Sequence, residues 1–248
     1  MATTVIIDLS HHNPEPDWSA LKGSGVVGVI LKATEGTGYV DPTYHARRLD
    51  AEVAGLVVNS YHYLKPGNIG LQMLHYLDTV TPQRGERVIV DYEDAGSTLD
   101  ELELAVATLR ATGLGLQVTV YGGGKLKAQL GGDHNEKLAQ ASLWIAHYTP
   151  HAAPSWPRGT WPVWSLWQYT DKALASGISE RVDGNRFNGP AGNALKWMSP
   201  AVQAAPPVKL PVPDREPEVE LSLVIDPGVR FAIYVNGHRY ALTSDDEA

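Results

Sequence analysis

Seven short apolar runs, most of them rich in β-branched residues, punctuate the first 170 residues at spacings that leave room for a helix between the early ones. They are TTVIID (3–8), VVGVILK (26–32), GLVVNSYHY (55–63), RVIVDYE (87–93), LQVTVYGG (116–123), ASLWIAHY (141–148) and WSLWQY (164–169), with ISERVDGNRF (178–187) a weaker eighth. Helical patterns fill the early gaps, as in DPTYHARRLDAEVA (41–54) and STLDELELAVATLRATG (97–113). The second of these opens on a Ser/Thr cap and closes at a glycine, as a helix should. Strands that alternate with helices pair in parallel, because each crossover returns the chain to the same end of the sheet. About eight strands in about 190 residues predict an α/β fold, an irregular TIM-type barrel whose late helices are short or absent. The proline- and tryptophan-rich stretch 149–163 is expected to be loop rather than helix.

That pattern stops near residue 198. SPAVQAAPPVKLPVPDREPE (199–218) holds six prolines in twenty residues and predicts an extended connector. Beyond it the chain alternates apolar and polar positions, with turn signals at Asp226–Gly228 and Asn236–Gly237. The expected organisation is a barrel over 1–198, a linker over 199–218 and a small β-meander over 219–248. Two or three strands bury little by themselves, so the tail is expected to pack on the barrel or to support self-association. Of the net charge of −8, five units fall from Asp214 onward, where eight acids face three arginines. An acidic balance argues against nucleic acid as a partner. No run of about 18 apolar residues occurs, so no spanning helix and no stable membrane association are expected. The opening MATTVIIDLS lacks a basic segment and meets an acid at Asp8, so it is expected to be the first strand of a protein made in the cytoplasm, not a secretory signal. The absence of cysteine excludes disulfides, thiol nucleophiles and cysteine-ligated zinc.

In a parallel barrel the chemistry gathers at the C-terminal ends of the strands. Acids sit at three such positions: Asp8 ends the first strand, Asp91 and Glu93 end the fourth, and Asp183 belongs to the last. Strand alternation puts Asp91 and Glu93 on one face, about 6–7 Å apart along the chain. Like charges that close raise at least one pKa, which folding does not reward but acid–base chemistry can use. Aromatic residues fall at the same ends, namely Tyr61, Tyr63, Tyr121, Trp144 and Tyr148, and Gln168 adds an amide able to hold a sugar substituent. Seven tryptophans against two phenylalanines favour rings with a polar handle, suited to sugar faces and wet clefts. His11, His12, His62 and His147 show no metal-ligand spacing, so neither metal nor cofactor is expected. GSGVVG (23–28) precedes a strand instead of following one, and YGGGKLK (121–127) lacks the spacing of a phosphate loop; both are expected to be turns.

Taken in order, IDLSHHN, DW (17–18), LKATEGTGYVDPTY (31–44), AGLVVNSYHY (54–63), VDYE (90–93), LWIAHY (143–148), LWQYT (166–170) and VDGNRF (182–187) resemble the family 25 glycoside hydrolases, the Chalaropsis-type lysozymes that include many phage endolysins. The likeness spans roughly residues 4 to 190. It implies an irregular (β/α) barrel that cuts the β-1,4 bond between N-acetylmuramic acid and N-acetylglucosamine in peptidoglycan, with retention. Glu93 matches the family's general acid, Asp91 the carboxylate that assists the anomeric centre, and Asp8 and Asp183 the flanking acids. Lys32, in the LKATEG stretch, joins the aromatic residues and Gln168 as an expected substrate contact. Tyr92 departs from the family, where a small aliphatic residue is commoner, and the tail resembles none of the family's usual wall-binding repeats. The expected partner is the peptidoglycan glycan strand, reached after release from the cell or from a virion. Two other functions compete with this one: a non-catalytic glycan-binding module of a phage particle, and a hydrolase of a related N-acetylated glycan such as chitin.

Overall fold

The computed structural model of the chain describes residues 6–201, 221–226, 230–235 and 238–241. The chain divides into two units, Met1–Gln203 and Ala204–Ala248. In the first, eight strands close into a ring: β1 (Ile6–Leu9), β2 (Gly28–Glu35), β4 (Val57–Tyr63), β5 (Arg87–Asp91), β6 (Gln117–Gly122), β7 (Ser142–Ala146), β8 (Leu166–Ala173) and β9 (Val182–Phe187). The two-residue β3 (Tyr39–Val40) pairs antiparallel with the end of β2. Six helices accompany them: α1 (Trp18–Gly23), α2 (Tyr44–Val53), α3 (Ile69–Val80), α4 (Leu99–Arg110), α5 (Gly124–Leu130) and α6 (Ala191–Met198). The barrel is irregular as expected, with a seven-residue α5 and no α-helix between β7 and β8.

The strands are not all parallel, which corrects the sequence expectation. β9 runs antiparallel to both of its neighbours, β8 and β1. A parallel return needs a crossover of a dozen or more residues, and the 174–181 connection is a loop too short to supply one. The reversal matters for the site. β9 begins where the other strands end, so Asp183, near its start, stands as the Cα partner of Asp8.

Alternation along each strand builds two cores. On β5, Val88 and Val90 face outward, joining Met73 and Tyr76 of α3 and Leu102 and Leu109 of α4. Ile89 faces inward with Ile6, Ile30, Tyr121, Trp144 and Leu166. The Ser/Thr cap expected at the start of α4 is Thr98, which forms a reciprocal capping box with Glu101. The bottom of the barrel is plugged by α6, whose Ala194 and Met198 join the inner core. Its last carbonyls accept hydrogen bonds from the barrel interior: Asn59 Nδ2 donates to Met198 O at 3.1 Å, and Arg87 Nε to Trp197 O at 2.9 Å. Positive charge at a helix C-terminus is stabilising, which accounts for a buried guanidinium that pairs with no carboxylate among the described residues. The chain then runs on beneath the barrel, where Gln117 donates to Ser199 O and Ala201 N to Gly85 O.

In the second unit, β10 (Leu221–Asp226), β11 (Arg230–Val235) and β12 (His238–Ala241) form an antiparallel ladder in that order. Residues 3–5 of the expected first strand, 202–220 of the expected linker and the centres of both expected turns lie outside the described residues. No described helix is long and apolar enough to cross a membrane.

Candidate active site

β1 and β9 bring Asp8 and Asp183 together, and β5 delivers Asp91 to the same end of the barrel. β5 stops at Asp91, so Glu93 is not the strand residue its spacing predicted but belongs to the loop that follows. It reaches the same place nonetheless. A cavity of about 70 Å³ is lined by all four acids together with Tyr61, Tyr121, Trp144 and Gln168. Eight of the eleven expected site residues therefore converge.

Asp8 is held most tightly. Asn185 Nδ2 donates to its Oδ2 at 2.6 Å and Gln168 Nε2 to its Oδ1 at 3.1 Å. Each amide is in turn fixed through its oxygen. Trp144 Nε1 donates to Asn185 Oδ1 at 2.8 Å, while the hydroxyls of Tyr121 and Tyr148 donate to Gln168 Oε1 at 2.8 and 2.9 Å. Gln168 is thus buried with both ends of its amide engaged, and Trp144 is only 2% exposed, so neither presents a free face in this arrangement. Asn185 was not singled out in the sequence, although it lies two residues from Asp183 and so faces the same way along β9.

Asp91 is 6% exposed, and its Oδ1 is buried without a hydrogen-bond partner. Burial, followed by the charge of Glu93, pushes its carboxyl well above the usual range, with Lys32 opposing. Glu93 is exposed on its loop, yet protein around its carboxyl and the charge of Asp183 raise its pKa as well. Burial and then Asp183 drive Asp8 up against the pull of its two amide donors, and burial raises Asp183. All four carboxyls around this cavity thus hold their protons to higher pH than free carboxyls do. The Tyr61 and Tyr121 phenols are held well above their ordinary value by burial and by these acids, which leaves them hydrogen-bond donors.

The remaining three residues lie at the rim. Lys32 bonds Glu35 at 2.7 Å, and its ammonium sits 5.1 Å from the Tyr63 ring centroid and 5.5 Å from that of Tyr39. Tyr63 is half-buried between Lys32 and Lys65, and Tyr148 is 52% exposed. The histidines serve elsewhere: His62 is buried between Thr34 and Gln72, and His11 binds Asp41. Among the described residues no group of three or more His, Asp and Glu side chains is arranged to hold a metal ion.

Comparison with known proteins places this architecture. Glycosyl hydrolases family 25 matches residues 7–178. Lysozyme M1 of Streptomyces globisporus is 29% identical over 205 residues, covering 76% of this chain and 69% of its own length. Among solved structures, the bacterial lysozyme from Streptomyces coelicolor aligns with a TM-score of 0.68 at 26% identity, over 77% of this chain and 95% of the other. A muramidase from Trichobolus zukalii aligns with a TM-score of 0.65 at 25% identity, over 77% and 96% respectively.

Proposed function

The chain belongs to glycosyl hydrolases family 25 and is a glycoside hydrolase, a lysozyme acting on peptidoglycan, and we propose that it cuts the β-1,4 bond between N-acetylmuramic acid and N-acetylglucosamine with retention. The observation that carries this reading is the opening of four crowded carboxyls onto one cavity lined by phenols and an indole. Glycosidases of this kind need one carboxyl that stays protonated near neutral pH and a second that is charged when the sugar develops oxocarbenium character. Glu93, on the exposed loop, protonates the departing glycosidic oxygen. Asp91, on the strand below, supports the anomeric carbon, either by attacking it or by orienting the substrate's acetamido group. Glu93 then takes the proton from the water that completes hydrolysis. Asp8 and Asp183 hold substrate and keep the proton affinity of the pair high. Tyr61, Tyr63, Tyr121, Trp144, Tyr148 and Lys32 shape the sugar site, and Gln168 acts on it through Asp8 and the two phenols it ties together.

A protein that only bound glycan would gain nothing from this crowding, which costs stability and serves proton transfer. Glu93→Gln keeps the shape and removes the donor, so turnover on purified wall should fall by about two to four orders of magnitude while wall binding persists. New reducing ends from wall but not from chitin are expected with the native enzyme. Near-native lysis by the Gln variant overturns the role given to Glu93, and release from chitin at a rate equal to that from wall overturns the substrate. We place the enzyme in host lysis, as a phage product made in the cytoplasm and released onto the wall. Purified enzyme should accordingly lyse cells once the wall is reachable.

A further inference from the structure

No described side chain hydrogen-bonds the Glu93 carboxyl. Its place in the cavity is therefore set by the backbone of the loop between β5 and α4. Tyr92, next to it in the chain, is fully buried. Its amide donates to Tyr121 O at 2.9 Å, and its hydroxyl lies 2.7 Å from Gln129 Oε1 and 3.1 Å from Ser97 O. The ammonium of Lys125 sits 3.6 Å from the centroid of the Tyr92 ring. It also donates to Asp94 O and, at 2.7 Å, to Ser97 Oγ, which itself donates to Asp94 O at 2.9 Å. One cation thus grips the residue before Glu93 through its ring and the residue after it through its carbonyl. Lys125 reaches this position because β6 runs almost directly into α5 through the glycines of YGGGKLK. At Gly122 a Cβ would stand 3.0 Å from the Leu126 side chain, so a larger residue there would make Leu126 give way.

Resting on the reading of Glu93 as proton donor, we propose that Lys125, seated on Tyr92, is a positioning residue for Glu93, holding the loop on both sides of it so that the carboxyl stays over the scissile bond. Asp94 is also bridged by Lys65 at 2.7 Å, but that contact is made to its carboxylate and leaves the Tyr92 ring and the Asp94 carbonyl to Lys125. Displacement of a reacting group by about 1 Å can cost about a hundredfold in rate, so small loop movements are enough to be felt.

The test uses soluble peptidoglycan fragments and five variants of the full chain. Lys125→Met should lower kcat by about tenfold or more with KM changed less than about twofold, the pattern of an interaction used in the transition state. Lys125→Arg, which restores a cation over the ring, should recover part of that loss. In the Glu93→Gln background, adding Lys125→Met should change the residual rate by less than about twofold, because groups acting through one another are not additive. Tyr92→Phe keeps the ring beneath the ammonium and should lose less than Lys125→Met; should the Met variant fail to fold, Lys125→Gln takes its place with the same expected loss. Unchanged kcat in Lys125→Met, an equal loss in both backgrounds, or a rise in KM alone overturns the proposal. If Glu93→Gln retains native turnover, the premise about Glu93 falls, whatever Lys125 does. If Glu93→Gln is inactive while Lys125→Met is fully active, only the positioning role falls.

Discussion

Asp91 shows how a single side chain can serve chemistry at the expense of the fold. Burial and the charge of Glu93 hold its carboxyl well above the ordinary aspartate range. The unfolded chain therefore releases this proton at lower pH than the folded chain does. Between about 4 and the raised native value the native state binds more protons, so stability falls as pH rises through that window. Asp91→Asn removes the charge and keeps the shape. It should be nearly inactive, yet more stable than the native enzyme at pH 7, with the difference closing as pH falls towards about 4. Thermal midpoints of both proteins across that range check this; a variant less stable at pH 7, or a gap independent of pH, contradicts it. With a like charge gone, Glu93 should also lose its proton at lower pH, moving the basic limb of any residual activity to the acid side. Asp8 and Asp91 were legible in the sequence because strand ends are where a barrel collects its acids, whereas Glu93 arrives from the loop after β5 and Asp183 from the start of the antiparallel β9. Asn185 and Lys125 were not, since their roles exist only in contacts with Asp8 and with the 92–97 loop, far away along the chain. Gln168 was legible as a polar residue at the right place, but its partners were not.

At the scale of elements, hydrophobic periodicity placed the strands to within a few residues, and the Ser/Thr cap and Gly113 framed α4 correctly. Direction was harder. Alternation of strand and helix implied parallel pairing throughout, and only the shortness of the 174–181 connection carried the signal that β9 must turn back. The plug formed by α6 was invisible for another reason: its meaning lies in what it fills. Gly28, the first residue of β2, makes room for it. A Cβ there would stand 2.7 Å from Val57 O and 2.8 Å from Met198 Cε. Gly28→Ala should accordingly cost about 1–3 kcal/mol through overpacking. In a domain of this size that is a fall of a few degrees in Tm, roughly 2–4 °C per kcal/mol. The strain falls on the floor of the barrel, whereas the acids lie at the other end of the strands, so kcat at 25 °C should hold. Denaturation and turnover measured on the same preparation check this; an unchanged Tm would mean that α6 is not packed where the glycine leaves space for it.

At the scale of the molecule, the chain joins a closed barrel to a short antiparallel ladder, and the two were legible in different degrees. The proline-rich stretch announced a change of regime, and the alternation of Leu221, Leu223, Ile225, Phe231, Ile233 and Val235 announced strands. The floor of the barrel nonetheless continues past residue 199, through Ser199 and Ala201. A truncation meant to isolate the catalytic unit should thus end after Gln203, the last residue of the first unit, so that these contacts survive. Every described residue lining the acid cavity lies before that point, so the truncated enzyme should keep its kcat on soluble glycan fragments. The stretch from Asp214 onward carries five of the eight net negative charges, and an acidic segment is repelled by anionic wall polymers at separations within about a Debye length. We therefore propose self-association, rather than wall targeting, as its role. Sedimentation of the full and truncated proteins decides between the two: loss of a larger species on truncation supports self-association. Two monomers, of which only the full chain pellets with cell walls, would make the tail a targeting element despite its charge.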